Sequence, residues 1–175
     1  MNEVINSIQT RRSIRQFNDK PISKEDLELI VDCAIHAPSG MGKDTWYFAV
    51  VTNQDLINEL IDIMKVELNN NAYTMYHPTA LIIPANLKDN SHGMEDNACA
   101  LENIFLASHS LNIGSVWINQ LRHYMDSKNL RTFLEKVGID DSMVVYGIAA
   151  LGYYDTKPVP KIRKGKFAFF EGELS

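Results

Sequence analysis

Two amphipathic helical segments come before the first apolar strand of this chain, and that order restricts its fold more than any other feature. Residues 2–10 set Val4, Ile5 and Ile8 on one face at helical spacing. Ser23 then opens "SKEDLELIVDCAIHA" as an N-cap, with acids in the first turn and Leu27, Ile30, Val31, Ala34 and Ile35 in one stripe. Pro38 ends that helix, because the residue before a proline is driven out of the helical region. Only afterwards does "WYFAVVT" read as a buried strand. A doubly wound sheet alternates strand and helix, so this order predicts an α+β layered fold instead.

The remaining segments continue the mixture. Asn53 caps a helix over "NQDLINELIDIMKVEL", "NNNAYTMYHP" reads as a linker or weak helix, and "ALIIPAN" is a strand that Pro84 places near an edge or a bulge. "EDNACALENIFLASHSLN" reads as a long central helix and "IGSVWIN" as a strand or strand-like turn. Gly138 is placed to stop a helix over "DSKNLRTFLEKVG". "MVVYGIAALGYY" is the strongest strand, and "DTKPVPKIRKGK" is a Pro-rich basic loop. The tail "FAFFEGELS" is too apolar to stay free, which points to burial against a second subunit. No internal repeat divides the chain, so residues 1–175 read as one domain.

A hydrophobic fraction of 45% and a charged fraction of 22% are those of an ordinary globular protein. No apolar run is long enough to span a bilayer, and "MNEVINSIQT" lacks the charged and apolar regions of a secretory signal. The expected location is the cytoplasm. Cys33 and Cys99 have no CxxC partner and no histidine at metal spacing, so they read as reduced thiols.

The net charge of −5 argues against general nucleic-acid binding. The basic residues are nonetheless unevenly spread. Ten of the 17 gather at the ends: Arg11, Arg12, Arg15, Lys20 and Lys24 at one, Lys157, Lys161, Arg163, Lys164 and Lys166 at the other. The ends of a compact domain often lie close together. Either these meet as one anion site or they remain two solvated segments.

No P-loop, dinucleotide fingerprint or nucleophile elbow is present. His36, His77, His92, His109 and His123 lack metal spacing and read as surface or hydrogen-bonded structural residues. The sequence therefore nominates no metal site and no catalytic side chain. What remains is "RRSIRQF". If it is extended, Arg11, Ser13 and Arg15 share one side, and that row suits a phosphate that continues into a polar chain and a ring. Lys161 and Arg163, also two apart, are candidates to close over the same phosphate.

Four stretches in this order, "RRSIRQF", "IVDCAIHAPSGMGKDTWYFAVV", "ALENIFLASHSLNIGSVWINQL" and "YGIAALGYYDTKPVPKIRKG", resemble the FMN-dependent nitroreductase family across most of the chain. The resemblance implies a layered α+β homodimer, a mixed sheet flanked by helices, with FMN in a cleft at the subunit interface. It implies that NADH or NADPH delivers a hydride to the flavin and leaves, and that a small oxidised acceptor such as a nitro compound or quinone takes the electrons. Arg11, Arg12, Ser13 and Arg15 match the family's first flavin-binding segment. Arg15 falls where a cation faces the N1/O2 edge of the ring, which favours the reduced flavin. Lys161 and Arg163, with Lys164 adjacent, fall on the late basic pair at the phosphate. Pro38, Ser39 and Gly40 match the loop that reaches the flavin from the other subunit. Trp117, Ile118, Asn119 and Gln120 match the turn along the ring, where backbone N–H groups approach N5 and O4.

Two departures bear on the substrate. The loop usually runs PSxxNxQPW, and here Gly42, Asp44 and Thr45 replace the Asn, Gln and Pro. The chain also lacks a helical excursion before "ALIIPAN" that many relatives use as a cover, leaving Asn71 and Tyr73 to line the pocket. These departures keep open a flavin-binding carrier or sensor without turnover.

Overall fold

The computed structural model describes residues 2–156, 158–159 and 161–171. Five helices form where the apolar periodicity places them: α1 (Glu3–Thr10), α2 (Lys24–Ile35), α3 (Gln54–Glu67), α4 (Gly93–Ser110) and α5 (Lys128–Lys136). Four are started by a side chain that satisfies an orphan N–H of the first turn; in α1, Asn2 Oδ1 accepts from the Val4 N–H at 2.9 Å. Ser23 Oγ accepts from the Asp26 N–H at 3.1 Å, Asn53 Oδ1 from the Asp55 N–H at 2.8 Å, and Ser127 Oγ from the Leu130 N–H at 3.4 Å. Each such cap is worth about 1 kcal/mol.

The strands are β1 (Trp46–Val51), β2 (Ala80–Leu87), β3 (Gly114–Ile118), β4 (Met143–Val144) and β5 (Ile148–Gly152). They form one sheet in the order β1-β2-β5-β3, with β4 also paired to β2. The ladders between them are antiparallel, and a parallel bridge from Ser13 to Ser115 makes the sheet mixed at the outer side of β3.

Side chains alternate across a strand, so the sheet has two apolar faces. Ala80, Ile82, Ala149 and Leu151 pack with Ile30 and Ala34 of α2 and Leu101 and Ile104 of α4. Leu81, Ile83, Ala85, Ile148 and Ala150 pack with Leu60 and Met64 of α3 and Phe133 and Leu134 of α5. The result is a sheet flanked by helices on both sides, the layered α+β architecture expected from the order of elements.

Several local expectations are corrected. "WYFAVVT" is an edge strand, with Tyr47 and Val50 exposed, and not a buried one. Pro84 lies in a central strand and is fully buried there. It is accommodated because β5 pairs with Ala80–Ile82 and β4 with Asn86–Leu87, so neither ladder reaches it from that side. "MVVYGIAALGYY" divides into β4 and β5 instead of running as one strand. "NNNAYTMYHP" is neither linker nor helix but a series of turns. Cys33 and Cys99 are free and half-buried. No described helix is long and apolar enough to cross a membrane. Lys157 and the last four residues of the tail lie outside the described residues; Phe167, Phe169 and Phe170 are described and exposed.

Candidate functional site

The arginine segment leaves α1 and runs beside β3. The Ile14 N–H donates to Ser115 O at 3.0 Å and Ile14 is buried, so its neighbours Ser13 and Arg15 face solvent. Arg11 does not join their row. It caps α1, and its side chain turns to α4, with Nε 3.5 Å from Glu102 and the guanidinium 5.8 Å from the Phe105 ring centre. The break comes from the helix end: Arg11 still belongs to the last turn of α1, so the two-residue alternation starts only after it.

Arg12, Ser13 and Arg15 line a cavity of about 350 Å³ together with Pro158, Val159, Lys161 and Arg163. The two basic ends therefore meet. Arg11 and Lys164 are not among the lining residues. Four cations and no carboxylate face this space. Arg12 Nη1 donates to Gln9 O at 2.8 Å and to Arg11 O at 2.7 Å, which fixes the guanidinium. Its Nε is buried and finds no partner among the described residues. A buried donor left unmade costs about 1–3 kcal/mol. A second cavity, of about 430 Å³, continues along Ser13–Phe17 against Asp155, Thr156, Pro158 and Val159.

Trp117 and Ile118 end β3, and Gln120 opens a short 3₁₀ turn after Asn119. Ile118 is buried, whereas Trp117 stands on the opposite face, tilted against Phe105 at 6.1 Å. The indole lies on the backbone of Gly147, where a Cβ would collide with it. In the same way a Cβ at Gly152 would stand 2.8 Å from Phe17 Cβ. The Asn119 N–H donates to Gln120 Oε1 at 3.1 Å.

Pro38, Ser39 and Gly40 lie apart from the arginine cavity and line neither of these two spaces. The Gly40 N–H donates to Asp96 Oδ1 at 2.7 Å, and Ser39 Oγ accepts from the Asp44 N–H at 2.9 Å. Behind them runs a buried polar network. Thr45 Oγ1 donates to Asn86 Oδ1 at 2.7 Å, and Asn90 Nδ2 donates to Thr45 Oγ1 at 2.9 Å and Asp96 Oδ2 at 3.0 Å. Thr45, one of the residues that departs from the usual loop, thus has a structural role of its own.

The turn at 71–78 reaches the arginine segment from another side. Met75, Tyr76 and His77 all take left-handed backbone conformations, with φ of 52°, 66° and 53°. Each costs about 1–2 kcal/mol in a residue with a side chain. The turn is held from both ends: Met75 is buried in the core, the Tyr73 N–H donates to Asn70 O at 3.1 Å, and the Thr79 N–H to Leu151 O at 2.9 Å. Asn71 is exposed. The Tyr73 hydroxyl is buried without a partner among the described residues, and burial, reinforced by Tyr76, pushes its pKa up to about 12. Tyr76 carries its ring to Arg15, 5.9 Å from the guanidinium carbon. Sequence reasoning missed Tyr76, Pro158 and Val159, since only the folded turn and tail bring them to the arginines.

A model of the nitroreductase family matches residues 8–153, and the chain belongs to that family. A Bacteroides fragilis nitroreductase solved with bound FMN is 36% identical, with a TM-score of 0.88 over 95% of this chain and 96% of that one. A relative from Archaeoglobus fulgidus, assigned by name to the NADH dehydrogenase/NAD(P)H nitroreductases, is 32% identical over 158 residues, 87% of this chain and 86% of its own. An FMN-dependent nitroreductase of Clostridium difficile is 25% identical, with a TM-score of 0.79 over 97% and 99% of the two chains.

Proposed function

We propose that this protein is an FMN-dependent oxidoreductase that passes electrons from NAD(P)H to a small oxidised acceptor such as a nitro compound or a quinone. The observation that carries the reading is the cavity where Arg12, Ser13, Arg15, Lys161 and Arg163 converge, with the Arg12 Nε buried and unpaired among the described residues. That donor set fits a phosphate dianion.

When bound, FMN supplies the reversible two-electron chemistry. The chain's own part is to bind and orient. Arg12, Lys161 and Arg163 would hold the phosphate, and Ser13 would add a hydroxyl. Arg15 would present a positive charge to the ring and so favour its reduced form. Trp117, Ile118, Asn119 and Gln120 would border the ring, and Lys164 would add charge outside the cavity. Arg11 acts indirectly, by tying the start of the segment to Glu102 and Phe105 of α4. No side-chain acid or base is assigned, since water can supply the protons.

The working unit is a cytoplasmic homodimer of single-domain chains. Two observations support it. The Pro38–Gly40 loop is fixed to α4 through Asp96, away from its own chain's arginine cavity, so it is free to serve a second copy's site. Val4, Ile5 and Ile8 of α1, and Phe167, Phe169 and Phe170 of the tail, are all exposed, apolar side chains that a second copy would cover.

The visible spectrum of the purified protein, with FMN measured in the supernatant after heat denaturation, tests the cofactor. A colourless protein that fails to take up added FMN would overturn the reading. Arg12→Ala with Arg163→Ala is expected to weaken FMN binding about 100-fold, the loss of two charge-assisted contacts at about 1.5 kcal/mol each. Sedimentation of the protein as a monomer at all concentrations would remove the dimer.

A further inference from the structure

Arg15 differs from Arg11 in what holds it. Arg11 is neutralised by a carboxylate, Glu102 at 3.5 Å. Arg15 has no carboxylate within ion-pair distance among the described residues, although it borders both cavities. Its guanidinium carbon stands over the Tyr76 ring, 5.9 Å from the ring centre. The distinction matters physically. A carboxylate would orient the guanidinium and cancel its charge, whereas an aromatic face orients it and leaves the charge available to a ligand.

The position of that ring is set by the backbone. Met75, Tyr76 and His77 take three successive left-handed conformations, closed by the His77 N–H donating to Thr74 O at 2.9 Å and the Tyr76 N–H to Thr74 Oγ1 at 3.2 Å. Met75 points into the core and is 1% exposed, so Tyr76, the next residue, is delivered outward. A turn anchored on a buried methionine therefore presents one aromatic face to one arginine. The strain is retained where it serves a neighbouring site.

We propose that Tyr76 is a positioning residue for Arg15, fixing the guanidinium without neutralising it and so setting how strongly the protein prefers reduced over oxidised FMN. The proposal rests on Arg15 facing the flavin ring, as argued above. It also assigns the 71–78 turn a role that the missing helical cover leaves open: the turn tunes the flavin through Arg15.

The test is the ratio of affinities for reduced and oxidised FMN, obtained from the dissociation constant of oxidised FMN and the midpoint potential of the bound flavin. Neither depends on turnover. Tyr76→Leu is expected to lower the ratio about threefold, the worth of an exposed cation–π contact. Tyr76→Phe and Tyr76→Trp keep the aromatic face and are expected to hold the ratio at the parent value. Arg15→Gln is expected to lower it further, and Tyr76→Leu should then add nothing in the Arg15→Gln background. If Arg15→Gln lowers the ratio and Tyr76→Leu does not, the positioning role is wrong while the flavin-facing reading of Arg15 stands. If Arg15→Gln leaves the ratio unchanged, that reading itself fails and takes the positioning role with it. Loss of the ratio in Tyr76→Phe or Tyr76→Trp as large as in Tyr76→Leu would also overturn the proposal, since the turn and not the ring would then be responsible.

Discussion

The Gly40 N–H donates to Asp96 Oδ1 at 2.7 Å, tying the loop after α2 to the first turn of α4. Asp96 is almost fully buried, and its other oxygen accepts from Asn90 Nδ2 at 3.0 Å. Asp96→Ala removes both charge-assisted bonds and leaves the half-buried Gly40 N–H without its acceptor, while Asn90 Nδ2 keeps Thr45 Oγ1 and Asn86 Oδ1. The expected loss is about 3 kcal/mol, since each charge-assisted bond is worth about 1.5–3 kcal/mol and the two share one acceptor group. Urea unfolding measures it. A loss below that of an ordinary surface substitution would show that the network does not hold the loop.

Tyr73 presents the opposite case, a buried hydroxyl with no partner among the described residues. Tyr73→Phe removes the stranded group and keeps the ring, so it is expected to be neutral or stabilising by about 1 kcal/mol. The linkage to pH has a definite sign. The folded pKa is pushed up to about 12 from 10.0, so the folded state retains a proton that the unfolded chain gives up. That stabilisation is full below pH 10 and is lost as pH rises toward 12. Chemical denaturation in this alkaline window should show a smaller loss in Tyr73→Phe than in the parent.

His109 acts at the other end of the scale. Burial first, then Arg11 and Arg12, hold its pKa below the usual value, and Thr10 Oγ1 lies 2.9 Å from Nε2. An unfolded chain protonates this ring near pH 6.5, before the folded one does. Stability from this group is therefore present above about pH 6.5 and falls as pH drops through the folded pKa. His109→Gln should flatten the acid side of the stability curve below about pH 6.5. An unchanged acid limb would mean that the ring titrates alike in both states.

His77 is the last of the three left-handed residues and is exposed. Glycine adopts that conformation without the Cβ penalty, so His77→Gly is expected to stabilise by about 0.5–1 kcal/mol after its larger unfolded-state entropy is counted. A thermal melt is the direct check, and a drop in Tm would show that His77 has contacts outweighing the strain.

The starts of α2 and α3 were legible because a cap is a one-residue signal: Ser23 and Asn53 each bond their own first turn. The convergence of the two basic ends was also foreshadowed, since ten cations crowd the termini of an acidic chain. Pairing was harder to read. Whether Pro84 sits at an edge depends on where β4 and β5 stop along β2, a fact about three distant segments. The division of labour between Arg11 and Arg12 was hidden for a related reason, because it turns on the residue at which α1 ends. The left-handed turn at 75–77 carries no glycine, so composition gave no sign of it. Its conformation is imposed by the buried Met75 and the anchoring of Thr79 on β5.

The glycines under Trp117 and Phe17 divide the site into parts that can and cannot vary. At Gly147 and Gly152 the smallest side chain would push an aromatic ring off its seat. Both rings stand beside the arginine segment and the end of β3, so these two floor positions accept no side chain. The 71–78 turn, anchored from below by Met75 alone among its three left-handed residues, presents Tyr76 and His77 to solvent. Descendants of this chain that acquire new acceptors should therefore vary at the exposed turn and keep the two glycines.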